Sequence, residues 1–306
     1  MTRRQIIWLE IKKCKILYMM IAPAVAYYVI FSYLPLVGLT IAFQDFVPGN
    51  GFFDGPWVGL ENFNKYFSSY YFWRLIKNTF MLSFWSLVWG FPMPIIFALL
   101  LNEIRVEWYK RSIQTLSYLP HFVPMVVVCG IIIDATGSDG LVNTFRSMLG
   151  AGSPLMFLQE PQFFRSIYVA SGIWQEIGWS SIIYLAALTS IDPTLYEAAE
   201  VDGAGRIRKM VHITLPCLMP TITVLFILAI GGMMGSDFEK ILLLSKPLTY
   251  DTSDVISTFV YRKGLQEGDF GFAMAVNIFN MLINLSLVAF ANYTAKKSSQ
   301  GETSLW

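Results

Sequence analysis

The chain is 306 residues long, 55% apolar and 14% charged, with a mean hydropathy of +0.52. Ordinary water-soluble domains carry about 25% charged residues, so this composition excludes a chain surfaced for water alone. The 22 basic and 21 acidic side chains nearly cancel, which leaves no cationic excess to attract nucleic acid.

The charges are also confined. Segments 16–44, 78–102, 112–133, 210–236 and 270–295 contain none, and a sixth, 166–191, is interrupted only by Glu176. Each exceeds the roughly 20 residues needed to cross hydrocarbon, and a single carboxylate is tolerated where it faces protein, water or ligand. Backbone groups in lipid must be satisfied within the segment, so each segment is expected to be helical. The sequence reads as an all-α polytopic membrane protein with six transmembrane helices near 17–43, 75–101, 115–135, 167–189, 217–235 and 272–293. Residues 1–16 would form an N-terminal segment, 17–293 one transmembrane domain and 294–306 a tail.

In chain order, Arg3, Arg4, Lys12, Lys13 and Lys15 flank the first span on its N-terminal side. Arg105, Lys110 and Arg111 lie in the 102–114 loop, Arg206, Arg208 and Lys209 in the 190–216 loop, and Lys296 and Lys297 in the tail. These alternate connections hold more than half of the 22 basic residues. The positive-inside bias therefore puts them, and both termini, in the cytoplasm beneath a plasma membrane. The first apolar run is too long for a signal peptide and no small-x-small cleavage site follows it, so it is expected to remain a membrane helix.

On the other side, Pro48, Gly49, Gly51, Pro56 and Gly59 among aromatics predict a compact, turn-rich cap, with Trp57 and Phe63 as interface anchors. Leu141, Val142, Phe145, Met148 and Leu149 mark a short amphipathic helix along the outer face. Residues 236–271 read as a polar connection too short for a substrate-capturing domain. Cys14, Cys129 and Cys217 form no close pair, and His121 and His212 share no compact ligand set, so neither metal nor catalytic site is expected.

The most informative stretch lies between spans four and five: Leu195-Tyr196-Glu197-Ala198-Ala199-Glu200-Val201-Asp202-Gly203-Ala204, then Arg206, Arg208, Lys209 and Ile213-Thr214-Leu215-Pro216. Asp192 before Pro193 supplies a cap acceptor and a first-turn proline, with Glu197 and Glu200 near the positive end of the helix. The small Ala198, Ala199 and Gly203 allow close approach by another protein, and Glu197, Arg206, Arg208 and Lys209 can fix its orientation. A capped surface helix leading into span five would need the same residues.

Glu197-Ala198-Ala199, Gly203 and Ile213-x-Leu215-Pro216 together resemble the coupling-loop signature of permease subunits from binding-protein-dependent ABC importers. The sugar and oligosaccharide branch, including polysaccharide-type systems, is most similar, through Gly59-Leu60 with Asn62-Phe63, Asn78-Thr79, Tyr118-Leu119-Pro120-His121 and Trp174-Gln175-x-x-Gly178-Trp179. The resemblance implies a type I importer permease fold and a non-catalytic subunit forming half of a translocation pathway. Glu197, Ala198, Ala199, Asp202, Gly203, Arg206, Ile213, Leu215 and Pro216 would dock on an ATPase. It further implies a second, related permease in a heterodimer, two ATPases carrying Mg-ATP, an extracellular solute-binding protein, and a sugar or oligosaccharide substrate. The chain has no Gly-x-x-x-x-Gly-Lys-Ser/Thr phosphate loop, so no cofactor of its own is expected.

Candidates for the substrate pathway are Glu176 with Trp174, Gln175 and Trp179, the Asn277, Asn280 and Asn284 stripe, Trp85 with Trp89, and Asp237 near Gly231, Gly232 and Gly235. Carboxylate and indole together suit sugar hydroxyls and faces. Pairing between helices, interfacial anchoring and core packing are alternative roles for the same side chains. An ion-coupled secondary transporter, or a membrane scaffold or sensor without transport, would use similar helices but would not require the loop signature.

Overall fold

The computed structural model describes residues 14–298 apart from positions 50, 52, 151, 234 and 236. Arg3, Arg4, Lys12, Lys13 and the end of the tail, 299–306, lie outside the described residues. What is described is almost wholly helical, with one isolated antiparallel bridge between Gln44 and Trp57.

Five helical runs are long and apolar enough to cross a membrane: Lys15–Phe43, Phe72–Asn102, Met125–Met148, Arg206–Gly231 and Phe270–Thr294. The count differs from the six expected. The remaining segment is a continuous helix, Pro161–Thr189, of sufficient length at 29 residues. Arg165, Gln162, Gln175, Glu176 and four serines dilute its apolarity below that of the others. The third expected span, 115–135, is also not one helix. Glu107–Tyr118 passes into a 3-10 turn, Leu119–Phe122, and Val123 and Pro124 are extended before Met125–Thr136 begins. Pro120 and Pro124 cannot donate to a continuing ladder, so the break falls there.

Proline also explains where the spans widen. Five-residue π-helical turns occur at Val29–Tyr33, Ser86–Gly90 and Met210–Thr214. Each lies just ahead of a proline, Pro35, Pro92 and Pro216. A proline ring clashes with the carbonyl four residues earlier, here Phe31, Val88 and His212, all within the widened turns.

The chain divides into two compact units, Met1–Ser68 with Lys263–Ile278, and Ser69–Arg262 with Phe279–Trp306. In the first, the turn-rich cap folds as expected. Phe43 stacks on Trp57 with ring centres 5.8 Å apart and packs on Phe63 at 5.4 Å. Buried Asn62 donates to the carbonyls of Ala42 (3.0 Å) and Gln44 (3.1 Å), and Gly59 supplies the positive φ of +61° at the turn before it.

In the second unit the Pro161–Thr189 helix is the central element. Phe164 and Tyr168 pack with Leu82, Val128, Cys129, Ile241 and Val255, and Tyr184 and Leu188 pack with Ile95, Ala98 and Leu218. The connection after span five folds back and buries Asp254 completely. Its carboxylate accepts from Arg262 at 2.8 Å, Arg74 at 3.2 Å and Thr258 at 3.0 Å. Two guanidinium partners and a hydroxyl offset the desolvation of this charge. Asn78 donates to the Asp254 carbonyl at 3.1 Å, and Thr79 accepts from the Ile256 N–H at 3.0 Å. The Asn78-Thr79 pair is therefore the clasp that holds this return segment.

Candidate functional site

The loop between the long helix and the Arg206–Gly231 run forms a helix at Pro193–Val201, with the Asp192 carboxylate accepting from the Thr194 N–H at 2.9 Å. That hydrogen bond holds the Asp192 carboxyl below the usual range. The C-terminus closes by a Schellman motif: Gly203 N–H donates to the Glu200 carbonyl (3.0 Å) and Ala204 N–H to the Ala199 carbonyl (2.9 Å). Gly203 has φ of +74°, where a Cβ is disfavoured, which gives the signature glycine a backbone reason. Tyr196 and Thr214 share a hydroxyl hydrogen bond of 3.0 Å, and Lys209 approaches Glu200 at 3.4 Å, so the helix is tethered to the base of the next span.

No residue of Pro193–Val201 is buried. Glu197, Ala198, Asp202, Gly203 and Arg206 are exposed, Ala199, Ile213 and Leu215 are half-buried, and Pro216 is exposed at the start of Leu215–Gly231. Val201 is 89% and Ile207 77% exposed. The helix is thus capped at both ends, and Val201 on it and Ile207 just beyond it leave apolar side chains uncovered by the chain itself.

In the same unit, a cavity of about 320 Å³ is lined by Ser83 and Ser86, by Tyr168, Gly172, Glu176 and Ser180 of the long helix, and by Gly232, Gly235, Asp237 and Lys240. Both carboxylate oxygens of Glu176 lie 3.0 Å from His121 Nδ1. The His121 ring stacks on Trp179 with centres 4.4 Å apart and planes 5° from parallel. The turn Leu119–Phe122 puts His121 there, and Gly178 allows it, since a Cβ at Gly178 would lie 2.2 Å from the Ser117 carbonyl oxygen. Asp237 donates its backbone N–H to the Tyr168 hydroxyl at 3.3 Å.

Of the pathway candidates, Glu176 and Asp237 thus meet at one cavity. Trp85 and Trp89 line a neighbouring groove of about 580 Å³ with Gln162, Arg165 and Ser166. Gln175 is buried, and Trp174 and Trp179 are partly exposed. Asn277 is exposed, while Asn280 and Asn284 are half-buried and are not among the residues around the Glu176 cavity.

Lys240 joins the site without being among the residues expected there. It is 1% exposed, with its ammonium 3.4 Å from the Tyr168 carbonyl and 5.2 Å from the centre of that ring. Burial pulls it below the ordinary lysine value, against the opposing pull of Asp237. Within Phe238–Leu244, Lys240 shares a helical face with buried Leu244 and adjoins buried Ile241, so the one sequence trace of its burial is a lone cation in an apolar run.

Residues 90–300 match the family model of the binding-protein-dependent transport system inner membrane component. The chain is 42% identical over 296 residues to the polygalacturonan/rhamnogalacturonan transport system permease protein YteP of Bacillus subtilis (strain 168), covering 96% of this chain and 92% of that one. It is 29% identical to the arabinooligosaccharides transport system permease protein AraP of the same organism, covering 93% and 90%. A chain in the crystal structure of a bacterial ABC transporter involved in the import of the acidic polysaccharide alginate superposes with a TM-score of 0.88 at 43% identity, covering 95% of this chain and 98% of that one. With its capped, exposed loop helix and a cavity lined by Glu176, Asp237 and Lys240, the chain belongs to the inner-membrane permease family of binding-protein-dependent transport systems, as the non-catalytic permease half of an ABC sugar or oligosaccharide importer.

Proposed function

We propose that this permease crosses the plasma membrane six times, with 1–16 and 294–306 cytoplasmic and 17–293 as the transmembrane domain, and that its 190–216 loop docks on an ATPase. The six-crossing reading is supported by the long helix, whose 29 residues span about 44 Å at 1.5 Å per residue. Its Gln175 is buried and its Glu176 turns to His121 and the cavity, so its polar centre does not require lipid exposure.

The observation that carries the docking role is the Pro193–Val201 helix, capped at both ends and buried at no position by its own chain. Glu197, Ala198, Ala199, Asp202, Gly203 and Arg206 meet the ATPase, while Ile213, Leu215 and Pro216 carry movement into the next span. A second, related permease completes the pathway, two ATPases bind Mg-ATP, and an extracellular binding protein delivers the cargo. Of the named relatives, the two at 42–43% identity handle polygalacturonan/rhamnogalacturonan and alginate, an acidic polysaccharide, and the one at 29% handles arabinooligosaccharides, so the cargo is taken to be an acidic oligosaccharide.

Reconstitution with the partner permease, ATPase and binding protein should give ATP-dependent uptake of acidic oligosaccharides. Uptake driven by an ion gradient without ATP would favour a secondary transporter instead, and ATPase binding without any uptake would favour a scaffold.

A further inference from the structure

We propose that Lys240 and Arg165 are the groups by which this permease selects carboxylate-bearing sugars, a role that rests on the reading of the cargo as an acidic oligosaccharide. A buried lysine is costly unless its charge is paired and its donors are used. Among the described residues, the Lys240 ammonium makes one hydrogen bond, at 3.4 Å, and no ion pair, although it has three donors to offer. It lines the cavity directly, beside Gly172, where a Cβ would sit in ordinary contact with the ammonium at 3.5 Å.

The other charged groups around it shape what would fit. Glu176 lines the same cavity with both oxygens on His121, and Asp237 lines it with its backbone N–H on the Tyr168 hydroxyl. Two carboxylates and the hydroxyls of Ser83, Ser86 and Ser180, set among mainly apolar walls, accept from sugar hydroxyls, while a single cation takes one anionic acceptor. That is the complement of a uronate, which presents hydroxyl donors and one carboxylate. Glu176 and Asp237 supply charge of the opposite sign around the same cavity, but the ammonium has one hydrogen bond for its three donors; a uronate carboxylate would accept from the remaining donors as a charge-assisted partner, and a neutral hydroxyl would do so more weakly.

Arg165 supplies the same chemistry in the adjoining groove. One of its terminal nitrogens donates to Asn78 at 3.0 Å, and its Nε is buried with no partner. Trp85 and Trp89 flank it as flat apolar surfaces, and Gln162 and Ser166 add polar contacts. The groove and the cavity share Val169 and Ile173 as walls, so they lie side by side along one helix. Arg165 precedes Tyr168 and Gly172, the residues beside the Lys240 ammonium, by three and seven positions. At 1.5 Å per residue the two cations are therefore offset by roughly 5–10 Å along the helix axis. Two cations at such an offset suit successive carboxylates of a uronate chain rather than one isolated anion.

The test is ATP-dependent uptake by the complete reconstituted importer, comparing trigalacturonate with the same trisaccharide after its carboxyl groups are reduced to alcohols. The wild type should favour the acidic form. Lys240→Met keeps the length and apolar stem of the side chain and removes the charge, and should lower the acidic-to-neutral uptake ratio about tenfold. Lys240→Arg should restore most of it, and Arg165→Gln should lower the ratio about threefold. A Lys240→Met importer that loses both substrates in proportion would make the residue structural and overturn the proposal. So would a wild type that moves the two forms equally well, which would leave the importer reading intact. A wild type that moves the neutral form alone would overturn the acidic-cargo reading and the proposal with it. Should Lys240→Met fail to assemble, the Arg165→Gln and Lys240→Arg ratios decide the question by the same criterion.

Discussion

The docking helix Pro193–Val201 buries no residue, whereas the long helix Pro161–Thr189 beside the cavity buries Phe164, Tyr168, Gln175, Gly178, Ser181, Tyr184 and Leu188. The first is held by its own backbone, through the Asp192 cap and the Gly203 Schellman turn. The second is held by neighbours distant in sequence, from Ser117 to Lys240. The surface proposed to meet the ATPase is thus shaped locally, and the wall that defines the cavity is shaped by packing. Substitutions in the two regions should fail in different ways: in the wall by loss of the folded permease, in the loop by loss of coupling in a protein that still folds.

The sharpest test of that contrast is Gly178→Leu. A Cβ at this position would lie 2.2 Å from the Ser117 carbonyl oxygen and 2.5 Å from its carbon, so the two helices must separate for any side chain to enter. Backbone cannot yield as a flexible side chain does, and separation would also take His121 away from Glu176 and Trp179. The expected result is near-complete loss of folded protein, read as the monodisperse fraction in detergent. A normal yield with normal uptake would show that the wall tolerates what the loop is here said to tolerate.

Next in size is Gly203→Glu. A side chain at φ of +74° costs about 1–2 kcal/mol, and a carboxylate there adds charge to the exposed end of the docking helix. The protein should fold, while ATPase association and uptake fall at least tenfold. Gly203→Asn, which tolerates this backbone region, should retain much more of both. Equal losses from Glu and Asn would point to a need for no side chain at this position in the complex rather than to its backbone conformation, and unchanged values for both would remove the loop from coupling.

The same contrast decides what the sequence could disclose. Asp192, Glu197, Ala198, Ala199 and Gly203 act through bonds to residues a few positions away, so their spacing is their structure. The gaps between charges disclose four spans that overlap long apolar helical runs, since lipid enforces helix, whereas the expected 115–135 span is broken between Leu119 and Pro124. The long helix was harder, because its face toward protein lowers its apolarity below the level that lipid alone would demand. Lys240 was hidden among apolar neighbours in a connection that looked exposed, and its meeting with Glu176 depends on a fold-back held by Asn78, Thr79 and Asp254. Asn277, Asn280 and Asn284 formed a stripe by periodicity, yet periodicity fixes only a shared face and not what that face adjoins.

The smallest expected effect lies where the loop joins the span it is meant to move. Tyr196 on the docking helix and Thr214 in the π-helical turn before Pro216 share a hydrogen bond of 3.0 Å. A neutral side-chain hydrogen bond of this kind contributes about 1 kcal/mol, so Tyr196→Phe should leave folding and ATPase association close to normal. If the tether transmits motion, uptake per ATP hydrolysed should fall two- to threefold, because the helix can then shift without carrying Thr214 with it. An unchanged ratio would mean that the loop pushes on the span through Ile213 and Leu215 alone, and that the local backbone of the docking region suffices to couple it.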